Sequence, residues 1–194
     1  MPDRNSALRG QRIHGRFGAA GEHPGVTFQE IREFSYLEIS LWDWRRASLR
    51  SKLAELLGIS ELPESGKIQR LKEGHLLHLQ TGSFAYLGAA APAEILEVAI
   101  TPEEGAVVPL GHARCLLRLS GAMAVAVLKR GIRQDLRDTS VAAGTVLTAD
   151  IGGIDILLLR PDATHYDLLV PRSHAQELWR WLTLRAAQFG YKVL

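Results

Sequence analysis

The chain has 194 residues, of which 46% are hydrophobic and 23% are charged, and its formal net charge is +2. A chain of this length can bury a sizeable core, and so small an excess of positive charge argues against a nucleic-acid-binding protein. The single cysteine, Cys115, excludes an internal disulfide and indicates a reducing compartment. No run of about 18 apolar residues predicts a membrane span, and no apolar segment follows the basic N-terminus, so we expect a cytoplasmic protein.

Residues 1–25 show no hydrophobic periodicity and are rich in Gly, Arg and His. They predict an extended N-terminal arm that is either a disordered tail or a segment that becomes ordered against a partner subunit. In the second case Ile13 and Phe17 are the expected apolar anchors.

The first half of the remaining chain, about 26–110, predicts mixed strands and helices. A strand over 34–41 precedes a helix within 42–58, whose leucines recur at helical spacing and whose C-terminal cap is Gly58. Two or three strands follow with a bend at Gly82, then a short helix that begins near Pro92 and a closing strand.

The second half, about 111–194, repeats this order. A strand over 113–121 leads to a short helix with Gly131 as its expected cap, and Gly152-Gly153 predicts a hairpin turn between two strands. A further strand and a Trp-rich helix, ended by Gly190, complete the chain. The sequence therefore predicts one α+β domain over 26–194, built from two pseudo-repeated ferredoxin-like halves.

Ser173 and His174 stand side by side before the Trp-rich helix. Adjacent side chains point in different directions, and a catalytic triad is assembled from separate segments, so the pair does not predict a nucleophile. Ser173 as N-cap and Gln176 three residues later instead match a capping box, worth about 1 kcal/mol.

The other candidate residues give weak signals. Cys115 shares the apolar face of its strand, which predicts a buried, inert thiol. His75 and His78 fall on opposite faces of a strand and are expected to be surface histidines, so no metal site is predicted. The glycines of "GRFGAAG" match no phosphate-binding motif. Asp135 is a loop or capping aspartate, unless it serves catalysis.

Several stretches together resemble the gamma subunit of heterotetrameric sarcosine oxidase, over nearly the whole chain. They are "RFGAAGEHPGVTFQE", "LRLSGAMAVAVLKRGIRQDL", "AAGTVLTADIGGIDILLLR" and "DLLVPRSHAQELWRWLTLRAAQFGY". N-methylglutamate dehydrogenase complexes carry a similar small subunit. The chain departs from the family pattern at "PLGH" (109–112) and at "TGSFAYLG" (81–88), which indicates a divergent branch with a different methylated amine as substrate.

The resemblance implies a fold similar to the folate-binding domain of the glycine-cleavage T-protein. It implies a cytoplasmic complex of alpha, beta, gamma and delta subunits that oxidatively demethylates sarcosine, or a related N-methyl amino acid, to glycine. FAD, FMN, NAD, zinc and tetrahydrofolate would belong to the partner subunits. This chain would bind no cofactor or metal and would be a structural component without a catalytic residue of its own.

Two other functions stay open. A stand-alone folate-dependent aminomethyltransferase would use Asp135, because the T-protein has an aspartate at a similar place that serves its folate chemistry. A free ligand-binding module would instead require a large apolar pocket.

Overall fold

The computed structural model describes residues 5–19 and 23–194, which form two compact units. The five-stranded unit comprises Glu33–His112 and Gly144–Val146. The seven-stranded unit comprises the described residues up to Arg32, together with Ala113–Ala143 and Leu147–Leu194. The predicted arm over 1–25 falls partly outside the described residues.

The five-stranded unit contains, in chain order, β3 (Ser35–Leu41), α1 (Ala47–Leu56), β4 (Ile68–Leu71), β5 (Gly74–Gln80), β6 (Ser83–Gly88), α2 (Ala90–Ala99) and β7 (Gly105–Pro109). Its strands lie in the order β4-β5-β6-β3-β7, and the pairs are antiparallel. Inward-facing side chains of the sheet pack against both helices, with Leu37, Ile39, Leu53, Phe84 and Leu96 in the core.

The seven-stranded unit begins with β1 (Gly15–Phe17) and β2 (Val26–Ile31). It continues with β8 (Arg114–Ser120), α3 (Ala124–Leu128), β9 (Thr145–Ile151), β10 (Ile154–Arg160), β11 (His165–Pro171), α4 (Ala175–Ala186) and β12 (Tyr191–Val193). Thr145 and Val146, the first two residues of β9, belong to the five-stranded unit. The strand order is β1-β12-β2-β8-β11-β10-β9, and β12 is parallel to β2.

The two units use the same succession of elements, which confirms the predicted α+β fold with duplicated ferredoxin-like halves. From β8 onward the chain runs strand, helix, three strands, helix, strand, as it does from β3 onward. The sheet order β8-β11-β10-β9 likewise matches β3-β6-β5-β4. The seven-stranded unit has two additional strands: β2 lies between β8 and β12, whereas β7 pairs directly with β3, and β1 pairs with β12 at the edge of the sheet.

Two glycine predictions are confirmed by backbone geometry. Gly152 and Gly153 have φ values of 65° and 86°, as the tight turn between β9 and β10 requires. Gly58 follows α1 with φ 67°, and its amide donates to the carbonyl of Glu55.

The prediction that Gly131 caps α3 is wrong. Helix α3 ends at Leu128 with Lys129 as its C-cap, and Gly131 does not adopt a positive φ. A Cβ at Gly131 would lie 2.7 Å from Cζ2 of Trp181, so this position needs glycine because the indole packs against its backbone. The constraint comes from a helix about 50 residues away in the sequence, which local pattern does not reveal.

The core of the seven-stranded unit lies between its sheet and α4. Leu178, Trp179 and Leu182 of α4 are buried in one cluster with Phe28 and Leu117. The buried residues of α4 therefore form one apolar stripe, and Trp179 belongs to the core. Across residues 5–19 and 23–194, no helix is both long and apolar enough to cross a bilayer.

Candidate functional site

Asp135 lies in the exposed loop after α3, and its carboxylate is occupied by its own loop. Oδ1 accepts the amide N–H of Arg137 at 3.0 Å, while Oδ2 accepts Nε of Arg137 and the hydroxyl of Ser140, both at 2.8 Å. Hydrogen bonds from Arg137 and Ser140 hold the pKa of Asp135 well below its usual range. A general base must take up a proton near neutral pH, so this geometry favours the loop interpretation.

The capping box at Ser173 and Gln176 is wrong. Pro171 leads into a 3-10 turn over Arg172–His174, and α4 begins at Ala175 without a side-chain cap. Ser173 therefore lies inside the 3-10 turn, and its hydroxyl accepts no hydrogen bond from a backbone N–H in the first turn of α4, as an N-cap would. The side-chain amide of Gln176 instead donates from Nε2 to the backbone carbonyl of Ala7 at 3.3 Å.

The same 3-10 turn brings Ser173 and His174 together, against the expectation that adjacent side chains diverge. Ser173 Oγ lies 3.2 Å from His174 Nδ1, and both residues are exposed. A catalytic pair also needs a third group that orients the histidine, and within the described ranges His174 has no further hydrogen bond or ion pair. The arrangement is a local surface contact.

Residues of the N-terminal segment are held by a buried carboxylate that the sequence did not single out. Glu30 on β2 accepts the hydroxyl of Ser6 at 2.6 Å and the amide N–H of Ala7 at 3.2 Å. The guanidinium of Arg12 lies 3.6 Å from the same carboxylate. Cys115 is buried as predicted, with Sγ 3.9 Å from Glu30. These contacts fix residues 6–12 on the seven-stranded unit.

Leu8 is the apolar anchor of this segment on its own unit, and the expectation that Ile13 and Phe17 anchor the arm on a partner subunit stays a prediction. Leu8 is fully buried in the core of the seven-stranded unit, whereas Ile13 is 65% exposed. Phe17 remains 36% exposed and stacks on Tyr191, with ring centroids 5.4 Å apart. The pattern missed Leu8 because one apolar residue in a turn has no periodicity.

A charged cluster spans β8 and β11. Arg118 and Asp167 are directly opposite in the antiparallel register and form a bidentate pair, with Nε–Oδ1 and Nη2–Oδ2 both 2.8 Å. Burial alone would raise the pKa of Asp167, but Arg118, with a smaller contribution from His165, holds it below its usual range. The His165 ring lies 3.6 Å from Asp167 and 3.1 Å from Asp162. A bidentate arginine held in this way orients a carboxylate within the fold.

His78 is buried, which corrects the expectation that both histidines of β5 are surface residues. Its ring stacks on Phe84 at 4.3 Å, and Nδ1 lies 2.8 Å from the carbonyl of Pro63. In the part of the chain that the structure describes, no three His, Cys, Asp or Glu residues converge as metal ligands would.

No family model and no curated protein matches the chain. Among solved structures, a chain of the heterotetrameric sarcosine oxidase from Corynebacterium sp. U-96, determined with pyrrole 2-carboxylate, has 24% identity and a TM-score of 0.78. That match covers 89% of this chain and 88% of the other.

The glycine cleavage system aminomethyltransferase T from Bartonella henselae is also similar. It has 18% identity and a TM-score of 0.59, over 84% of this chain and 49% of that enzyme. The fold predicted from the resemblance is thereby confirmed: the chain has the architecture shared by a chain of heterotetrameric sarcosine oxidase and by part of aminomethyltransferase T.

Proposed function

We propose that this protein is a non-catalytic, structural subunit of a sarcosine-oxidase-like heterotetrameric flavoenzyme complex. The match in fold to a chain of such an oxidase over nearly the full length of both chains is the observation that carries the proposal. The aminomethyltransferase match supports it less, because it covers only 49% of that enzyme.

The carboxylates described in the candidate site support a structural role for the chain. Asp135 is bound by its own loop, Glu30 fixes the N-terminal segment, and Asp167 is paired with Arg118 across two strands. In each case the carboxylate stabilises the fold with its oxygens engaged, whereas a reacting carboxylate must be accessible to substrate.

The complex would demethylate sarcosine, or a related N-methyl amino acid, to glycine and pass the one-carbon unit to tetrahydrofolate. The alpha, beta and delta partners would bind FAD, FMN, NAD, zinc and tetrahydrofolate. This chain would stabilise their assembly in the cytoplasm, in keeping with its single reduced cysteine.

Co-expression tests this proposal. The tagged chain should co-purify with the large flavin-bearing subunits, and the purified chain alone should show no flavin absorbance and no oxidation of sarcosine. A chain that remains monomeric and recovers no flavin-bearing partner would contradict the proposal.

The aminomethyltransferase alternative has its own test. It predicts that the isolated chain binds tetrahydrofolate in a calorimetric titration and that Asp135→Asn abolishes one-carbon transfer. We expect no heat of binding, because the fold alone links this chain to the transferase.

A further inference from the structure

The five-stranded unit carries a cluster of aromatic and basic side chains around the turn that precedes α1. We call this cluster the tryptophan–arginine surface and define it as Trp42, Trp44, Arg45, Arg46 and Arg50. All but the half-buried Trp44 are exposed. The sequence pattern predicted that a helix includes Trp42, but α1 begins only at Ala47, and the tryptophans lie in a turn.

Trp42 is exposed although its position is fixed. Its indole Nε1 donates to the carbonyl of Pro102 at 2.8 Å, and its amide donates to the carbonyl of Glu104 at 3.0 Å. The side chain nevertheless remains 62% exposed. A large aromatic side chain that is ordered before binding loses little conformational entropy when a partner covers it.

The arginines extend this surface with positive charge. The guanidinium carbons of Arg45 and Arg50 lie 6.0 Å and 5.9 Å from the centroid of the Trp44 ring, within the range of a cation–π contact. Across residues 5–19 and 23–194, neither these two nor Arg46 forms an ion pair with a carboxylate.

The acidic residues nearby compensate this positive charge only in part. Glu104 is paired with Lys52 at 2.6 Å, so its charge is already balanced. Asp43 in the turn and Glu61 at the adjacent cavity are two carboxylates against the three guanidiniums of Arg45, Arg46 and Arg50, so the surface keeps a net positive charge. The charge of the surface is therefore complementary to carboxylates of a partner.

A shallow cavity continues the surface beyond Arg50. Its volume is about 180 Å³, and Ala47, Ser51, Ala54, Glu61 and Leu62 are among the residues that line it. A cavity of this volume admits one apolar side chain of a bound segment. Ala54 and Leu62 form the apolar part of the cavity wall.

We propose that the tryptophan–arginine surface docks an acidic segment of a larger partner subunit, with its carboxylates on the arginines and an apolar side chain in the cavity. Tryptophan and arginine are the residue types that contribute most to protein interfaces. The proposal rests on the proposed function, because it locates the contact by which this chain joins its complex. A single-stranded nucleic acid suits the surface less, since the formal net charge of the whole chain is only +2.

The experiment uses the full chain and the flavin-bearing partner subunits that co-purify with it. Trp42→Ala and the double variant Arg45→Glu/Arg50→Glu should each weaken partner binding by about 10- to 100-fold in a titration. The controls lie in the seven-stranded unit: Leu184→Ala changes a side chain that is 67% exposed, and Arg133→Glu/Arg180→Glu reverses the same number of exposed charges. The controls should bind within twofold of the wild type.

The outcomes separate this inference from the proposed function. Wild-type chain that recovers no partner would overturn both, whereas wild-type assembly that all variants retain would overturn the docking surface alone. Circular dichroism tests whether Trp42→Ala is folded, and a higher salt concentration should weaken wild-type binding more than that of the charge-reversed variant. Tighter binding of a labelled single-stranded RNA, lost in the same variants, would also overturn the proposal.

Discussion

Arg118→Leu should strongly destabilise the protein, because it leaves the carboxylate of Asp167 buried without its main partner. The Asp167 side chain is only 4% exposed, and its two oxygens are matched by two guanidinium nitrogens at 2.8 Å. The variant keeps an apolar stem of similar length on β8, so the change isolates the charge and its hydrogen bonds.

The expected loss is about 3 kcal/mol. Breaking a fully buried ion pair costs roughly 3–5 kcal/mol, because an uncompensated charge remains in a poorly solvated place. The Arg118 side chain is 36% exposed, so solvent already screens part of the interaction and the lower end of that range applies. For a chain of this size the loss corresponds to a decrease in Tm of about 6–12 °C.

The sign of the pH dependence follows from the pKa of Asp167, which is lowered in the folded protein. The pair therefore stabilises the wild type above the ordinary aspartate pKa of about 3.9, and this contribution is lost as pH falls through the lowered folded value. In Arg118→Leu, burial without a partner raises the pKa of Asp167. Asp167 of the variant is then protonated at a higher pH than in the wild type. The difference in unfolding free energy between the two proteins should therefore decrease below about pH 5.

Urea unfolding followed by circular dichroism at pH 7 and pH 4 measures both effects. Asp167→Asn is the matched control, since it leaves the partly hydrated Arg118 without a carboxylate and should cost only about 1–2 kcal/mol. A loss below about 1 kcal/mol for Arg118→Leu, unchanged between the two pH values, would refute the reasoning.

Three further variants test other contacts. Leu8→Ala should cost about 2–5 kcal/mol, because Leu8 is fully buried, and thermal unfolding would show no change if residues 5–12 were a loose tail. Ser173→Ala should stay within about 0.5 kcal/mol in the same assay, whereas a true N-cap would cost about 1 kcal/mol. Tyr86→Phe removes a buried hydroxyl 2.9 Å from the carbonyl of Glu73 and should cost about 1–2 kcal/mol in urea unfolding at pH 8. Burial raises the pKa of Tyr86 to about 12. The hydroxyl therefore stabilises the fold fully below about pH 10, and this contribution is lost as pH rises through about 12. The difference in unfolding free energy between the wild type and Tyr86→Phe should decrease over that range.

Local chemistry explains why much of the fold could be predicted. Alternating apolar residues indicated the strands, and Gly58, Gly152 and Gly153 were assigned correctly because the tolerance of a positive φ is a property of glycine itself. The repeated order of strands and helices was enough to indicate the duplicated ferredoxin-like halves, since each element carries its own periodicity.

The candidate site was less predictable, because its contacts join distant segments. Glu30 was missed since nothing in β2 shows that Ser6 and Ala7 return to its carboxylate. His78 gave no local sign that it would be buried against Phe84.

The sequence by itself determined the order of elements, the apolar faces and the resemblance to one family. Only the tertiary structure decided that Gln176 contacts Ala7 in place of a cap, that Gly131 makes room for Trp181, and that Trp42 is held in an exposed position. The physical reason is that periodicity and backbone preference act over a few residues, whereas burial, ion pairing and close packing depend on which distant segments meet.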